Sequence, residues 1–217
     1  VSLFVGGVQV THTERFLEQE DSYETGDVYV VPVQIQAYVS GVGVSDAVEI
    51  HWKTSSGTAT AKERSLIVQQ VNSTDFAQAT ATATTTTTSA TDTQIGSMTV
   101  TPGAGDYLIS FSGSAQNTAV SHTYFSIYVA GSQITHSERD LYTEESFPDT
   151  YYPVSTHTFV TSVGASDVVE IKWRTTAGTA TIGARTLTVQ KIDTADVTQV
   201  TATATADTTN NTDTQIT

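Results

Sequence analysis

Apolar residues alternate with polar ones along several short stretches of the chain. Tyr107, Ile109 and Phe111 alternate with Leu108, Ser110 and Ser112; Phe125, Ile127 and Val129 with Ser126, Tyr128 and Ala130; Val169, Ile171 and Trp173 with Glu170, Lys172 and Arg174. A period of two gives each stretch one apolar face, as a half-buried strand requires. Glycine and proline punctuate the strands. Pro102 and Gly103 centre a turn between Thr99 and Asp106, Gly6-Gly7 and Ala130-Gly131 read as tight hairpin turns, and Ala177-Gly178-Thr179 as another. No window keeps a helical period; Thr135–Tyr142 comes nearest and has no apolar stripe. The pattern predicts an all-β chain of antiparallel β-sandwich units without significant helix.

The chain also repeats itself. VEIHWKTSSGTATAKERSLIVQQV from Val48 answers VEIKWRTTAGTATIGARTLTVQKI from Val169, so that Trp52 aligns with Trp173, Gly57 with Gly178 and Arg64 with Arg185, about 121 residues apart. VTHTER at Val10–Arg15 answers ITHSER at Ile134–Arg139, and the small difference in spacing falls in an acidic stretch that reads as a surface loop. Thr-Asp-Thr-Gln-Ile occurs at Thr91–Ile95 and again at Thr212–Ile216, while Gly96–Tyr124 occurs once. The expected division is an incomplete β-sandwich unit over residues 1–78, lacking its first strands, a complete unit over 79–197, and the opening strand of a further unit over 198–217. Each tryptophan is expected to centre the core of its own unit. A parent polypeptide of at least three units would explain the cut; the alternative is a neighbouring molecule that lends the missing strands.

Within the complete unit a Thr-rich opening strand is followed by Val-Thr-Pro-Gly-Ala-Gly-Asp-Tyr-Leu-Ile-Ser-Phe-Ser from Val100 to Ser112, then a glycine hairpin, then a closing Arg-Thr-Leu-Thr-Val-Gln from Arg185 to Gln190. This order, carried by Pro102, Gly105, Tyr107 and Phe111, resembles the jelly roll of the C1q and tumour-necrosis-factor type. It also looks like the tandem jelly-roll modules of phage head-decoration and fibre proteins. The resemblance covers about one unit. It implies a jelly roll and, because such proteins commonly trimerise, a homo-oligomer of three copies touching through outward residues such as Tyr128.

Charge narrows the partners. The 217 residues carry nine Lys+Arg against 23 Asp+Glu, a net charge of −14, which leaves no basic surface for nucleic acid. No apolar run nears the ~20 residues of a membrane span, so no membrane insertion is expected. Without cysteine there is no disulfide and no thiolate metal site.

Candidate chemistry is sparse. His12 and His136 recur beside Glu14 and Glu138, spaced to share a strand face, and read as surface pairs rather than an acid–base or metal set. His51 is replaced by Lys172 in the second repeat, and His122 lies where the first has no counterpart. The acidic groups Glu18, Glu20, Asp21, Glu24 and Asp27, and Glu144, Glu145 and Asp149, lack calcium-loop spacing and read as solvated loops. Arg64 and Arg185 share the inward parity of their strands and are expected to form a structural ion pair with Glu49/Glu170 or Asp46/Asp167. Trp52 and Trp173 read as core rather than a sugar platform, and Asn72-Ser-Thr74 and Asn210-Asn-Thr212 are glycosylation sequons. No hydrolase, nucleotide or zinc motif is present, so no catalytic, cofactor-binding or metal residue is assigned, no cofactor is expected, and the chain is not expected to be an enzyme.

The expected function is structural: assembly into a virus particle, as a bacteriophage capsid decoration, fibre or appendage subunit, with its own copies and other virion or fibre proteins as partners. The alternative is an extracellular adhesin or receptor-binding module that grips glycan or protein on a cell surface, with Tyr23, Tyr29, Tyr142, Phe147, Tyr151 and Tyr152 in its loops. Either reading places the chain on a virion or extracellular surface.

Overall fold

The computed structural model describes residues 1–16, 31–55, 57–143, 150–193 and 197–203. Thirteen strands are present among them: β1 (Ser2–Val5), β2 (Val8–Gln9), β3 (Val48–His51), β4 (Phe76–Ala81), β5 (Thr85–Thr87), β6 (Thr93–Val100), β7 (Gly105–Asn117), β8 (Ser121–Val129), β9 (Ser132–Gln133), β10 (Arg139–Thr143), β11 (Tyr152–Val163), β12 (Val169–Thr175) and β13 (Ala180–Lys191). The helical pieces among the described residues are three short 3-10 turns. Thr135–Tyr142 is such a turn over Thr135–Ser137 followed by β10.

Strands β4 to β13 form two facing sheets in the orders β10-β8-β12-β6 and β11-β7-β13-β4, with β9 added beside β8 and β5 beside β13. Every pairing is antiparallel. Consecutive strands mostly cross from one sheet to the other, which makes the sandwich a jelly roll. Its core follows the alternation in the sequence: Phe111, Phe125, Ile127, Ile171 and Trp173 are at most 2% exposed. Phe125 packs between Phe111 and Trp173, with ring centroids 6.4 and 6.0 Å away. Aromatic contacts at such separations add about 0.5–1.5 kcal/mol each to the burial of their area.

A buried amide closes one end. Asn117 Nδ2 donates to Thr123 Oγ1 at 3.0 Å, Thr175 Oγ1 at 2.8 Å and the Ala177 carbonyl at 3.2 Å, tying β7, β8 and the β12–β13 turn together. Gly178 sits against it with φ +69°, and a Cβ there would stand 2.5 Å from Asn117 Oδ1. Glycine is therefore required both for the turn and for the approach.

The first repeat folds as a three-stranded sheet, β2-β1-β3. It copies part of the second repeat residue for residue. Leu3 faces Ile50 as Ile127 faces Ile171, and Phe4 faces Gln9 as Tyr128 faces Gln133. Both hairpins turn through two residues of positive φ, Gly6-Gly7 and Ala130-Gly131, the pairing that matches strand twist.

Trp52 departs from expectation. Trp173 is 2% exposed, but Trp52 is 53% exposed. The strands that cover Trp173 come from the stretch that the first repeat lacks in this chain, so the same parity leaves Trp52 beside an open cavity of about 3510 Å³. That volume is several times a ligand pocket of roughly 300–1,000 Å³ and reads as an uncovered strand face. Accordingly, Trp173→Ala should lower unfolding free energy by about 3–5 kcal/mol, whereas Trp52→Ala should change it by less than about 0.5 kcal/mol, as measured by denaturant titration.

Candidate functional site: the joint between repeats

The second repeat holds one guanidinium inside its sandwich. Arg185 is 3% exposed and donates to three backbone carbonyls: Ala83 at 2.7 Å, Gly183 at 2.9 Å and Gly96 at 3.0 Å. None of these oxygens is available by accident. Ala83 lies in the break between β4 and β5, Gly183 in a bulge of β13, and Gly96 beside Ser97, whose φ of 71° accompanies the register shift between β6 and β12. Regular ladders consume their carbonyls, and bulges release them.

This corrects the expected ion pair. Glu170 pairs with Lys172 at 3.1 Å along its own strand, as Glu49 pairs with His51 at 3.2 Å in the first repeat. Asp167 and Asp46 accept from the amides of Gly164 and Gly43, each at 2.7 Å, and so shape their own turns. Arg64 is exposed and, among the described residues, reaches the carbonyls of Ala61 and Lys62.

A second buried guanidinium comes from the first repeat. Arg15 is 2% exposed and lies on the outer face of the β7–β13 sheet. Its Nη2 donates to Ser112 Oγ at 2.6 Å and the Ser112 carbonyl at 3.0 Å; its Nη1 reaches the Ala184 carbonyl at 3.3 Å. Ala184 belongs to the bulge that also supplies Gly183, so one irregularity offers an oxygen inward to Arg185 and another outward to Arg15. The approach is close because the face is made of small hydroxyl residues: Ser112, Ser114 and Thr186 are fully buried. Ser114 Oγ accepts from the Phe16 amide at 3.0 Å, and Thr186 Oγ1 donates to the His12 carbonyl at 3.2 Å. Farther along, Gln78 on β4 accepts from the Tyr38 amide at 2.8 Å, with the Tyr38 and Phe76 rings stacked at 4.7 Å. Burial without a counter-charge pushes the Arg15 pKa down to about 10.

His12 and His136 sit in 3-10 turns rather than on strands, so His and Glu do not share a strand face as expected. His136 Nε2 lies 2.8 Å from Thr158 Oγ1, while Glu138 takes Arg174 Nη1 at 2.9 Å. Glu14 and Lys53 repeat that ion pair at 3.6 Å. His12 has its Nε2 buried without a hydrogen-bond partner, and desolvation first, then Arg15, lowers its pKa below 6.5. His51 stacks on Phe4 at 4.1 Å. His122 pairs with Asp140 at 2.8 Å on the outer face of β8 and β10.

Tyr128, expected to make contacts between copies, is 9% exposed and already engaged: its hydroxyl donates to Asp92 at 2.6 Å and Lys172 Nζ lies 4.4 Å from its ring centre. Burial and that carboxylate push its pKa up to about 12. Asn72 of the first sequon is exposed. The acidic loop residues 18–27, Glu144, Glu145 and Asp149, the aromatics Tyr23, Tyr29 and Phe147, and the sequon at Asn210 lie outside the described residues. Among the described residues no group of three or more His, Cys, Asp or Glu stands where it could hold a metal ion, and no helix is long and apolar enough to cross a membrane. Arg15, Ser112, Ala184 and Thr186 went unmarked as site residues in the sequence, although the repeat of Arg15 at Arg139 was visible there.

Fold and joint together define a jelly-roll β-sandwich that docks the preceding repeat of its own sequence on one outer face. No protein-family model matches the chain, and no curated protein matches it. Among solved structures it is similar to the Eiger TNF of S. frugiperda, at 14% identity and a TM-score of 0.37 over 58% of this chain and 99% of that one. It is also similar to infectious bursal disease virus Gx strain, at 10% identity and 0.36 over 67% and 41%, and to the C-terminal domain of EclA, a sugar-binding protein, at 11% and 0.26 over 56% and 82%. Likeness at this level carries nothing about function.

Two outcomes test the joint. Arg15→Ala should cost about 1–3 kcal/mol through lost charge-assisted hydrogen bonds, and Arg139→Ala less than about 0.5 kcal/mol, in chemical denaturation of the full chain. The second concerns acid. Because the folded pKa of His12 is depressed, its contribution is fully present above 6.5 and is lost as pH falls through the folded value. The melting temperature should therefore fall as the pH is lowered through and below 6.5, and His12→Gln should make that fall shallower.

Proposed function

We propose that the chain is a non-enzymatic structural protein of a virus particle, in the manner of a bacteriophage capsid decoration, fibre or appendage subunit built from repeated β-sandwiches. The observation that carries this reading is the joint, in which one repeat buries a guanidinium of the preceding repeat in its outer face. A module with such a face is suited to a row of like modules. In this reading the sandwich from Phe76 to Lys191 makes one unit, three residues earlier than the boundary at 79 because β4 pairs with β13, and the residues before it and from Val197 onward belong to its neighbours in the row. The acidic, Ser/Thr-rich surface keeps rows from adhering to one another. Partners are its own copies and other virion or fibre proteins, with no nucleic acid and no bilayer insertion, and no residue is assigned to catalysis, cofactor or metal.

One observation favours the adhesin alternative. Tyr142 is 49% exposed and packs on His122 at 4.8 Å, which in turn stacks on Tyr124 at 5.9 Å, so an aromatic patch with Asp140 at its side faces outward. Aromatic faces of this kind suit sugar rings.

Antibodies raised against the full chain and imaged by immunogold electron microscopy should decorate purified virus particles from the source. Gold on cell surfaces with bare particles would overturn the virion reading in favour of the adhesin.

A further inference from the structure

Arg15 and Arg139 occupy the same place in the repeat and have opposite surroundings. Each stands two residues past the end of a 3-10 turn, and each gives Nη1 to the same two local carbonyls: Arg15 to His12 at 2.9 Å and Glu14 at 3.0 Å, Arg139 to His136 at 3.0 Å and Glu138 at 2.7 Å. The supporting bonds match as well. Thr13 Oγ1 and Ser137 Oγ each accept from a β-strand amide at 2.9 Å and donate to a carbonyl at 2.6 Å. The guanidinium is thus preset identically in both repeats. Arg15 goes on to fill the hydroxyl-lined face of the next sandwich, whereas Arg139 is exposed. Pro32, Val33 and Gln34 stand with it around a cavity of about 300 Å³.

A second contact of the joint is already duplicated. Gln199 accepts from the Phe159 amide at 2.6 Å, as Gln78 accepts from the Tyr38 amide at 2.8 Å. Phe159 is the repeat equivalent of Tyr38, and Val197–Thr203 is the equivalent of Phe76–Thr82, where the complete sandwich begins. The start of a further unit therefore lies against the second repeat through the same glutamine that marks the first joint.

We propose that Arg139 is the plug of a second joint: it inserts into the Ser/Thr-lined outer face of a further copy of this sandwich, the copy opened by Val197–Thr203. The occupant is fixed by complementarity to what Arg15 meets, namely the hydroxyls of Ser112 and Thr186 and the carbonyl released by the bulge at Ala184. The joint rests on the tandem-array part of the proposed function and is independent of whether that array belongs to a virion.

The test extends the protein. Residues 83–193 are appended directly after Thr203 of the full chain, replacing 204–217, so that the added sandwich follows the sequence context in which the first one folds. Arginine modification by phenylglyoxal, read by peptide mass, should find Arg64 and Arg139 reactive and Arg15 protected in the original chain. In the extended protein, whose added unit carries Arg139→Lys so that only the original Arg139 is read, Arg139 modification should slow by about tenfold, as expected of a guanidinium closed off from solvent, with Arg64 unchanged as the internal control. Arg139→Ala should lower the melting temperature of the extended protein and leave that of the original chain where it was. Equal Arg139 reactivity in the two proteins overturns the proposal. So does an added unit that fails to fold, since the joint is the setting in which the same sequence folds over Phe76–Lys191. Loss of this joint beside positive virus labelling would leave the function standing, and the reverse result would leave the joint standing.

Discussion

A guanidinium enclosed by sheets with no carboxylate in reach can be satisfied only by oxygens that the ladders do not use. In this sandwich Arg185 is in that position, and three departures from regular strand geometry converge on it: the break between β4 and β5, the bulge in β13 and the shifted stretch of β6. Leaving a buried charge unsatisfied would cost several kcal/mol, so these irregularities and the arginine stand or fall together. The opening strand bends around the guanidinium, β6 turns Ile95 and Met98 into the core as it shifts, and the β13 bulge exposes the Ala184 oxygen on the far side. Through that last oxygen the internal arrangement of one unit reaches the arginine of another.

Strand faces were legible in the sequence because alternation is a local property. Phe111, Phe125, Ile127, Ile171 and Trp173 take the inward places that their parity assigns. Burial is not local, however, and Trp52 shows the difference: it has the sequence surroundings of Trp173 but no second sheet above it among the described residues. Parity fixes which side a residue faces, and only another element decides whether that side is covered.

The joint was harder to read for a related reason. Charge complementarity suggested carboxylates for Arg185, yet Asp167 is committed to its own turn and Glu170 to its strand neighbour. Backbone carbonyls leave no mark in composition. A usable signal was present on the outward parity of β7 and β13, where Ser110, Ser112 and Ser114 face the same way as Thr186 and Thr188. Such short side chains let another backbone come near and offer it hydroxyls to hydrogen-bond. Set beside the recurrence of Arg15 at Arg139, that run of hydroxyls could have pointed to the docked face.

The joint between the repeats is made from two unlike halves, an arginine-bearing turn on one side and a hydroxyl-lined sheet on the other. Contacts of this heterologous kind do not close on themselves in pairs. Units added through them, as in the proposed row, would all point in one direction and each be rotated by the same angle, so such a row would have a sense, like an arrow. The two extremities of such a row would expose different chemistry, one presenting an undocked guanidinium and the other an unfilled hydroxyl face, and a surface that anchors one extremity would not hold the other.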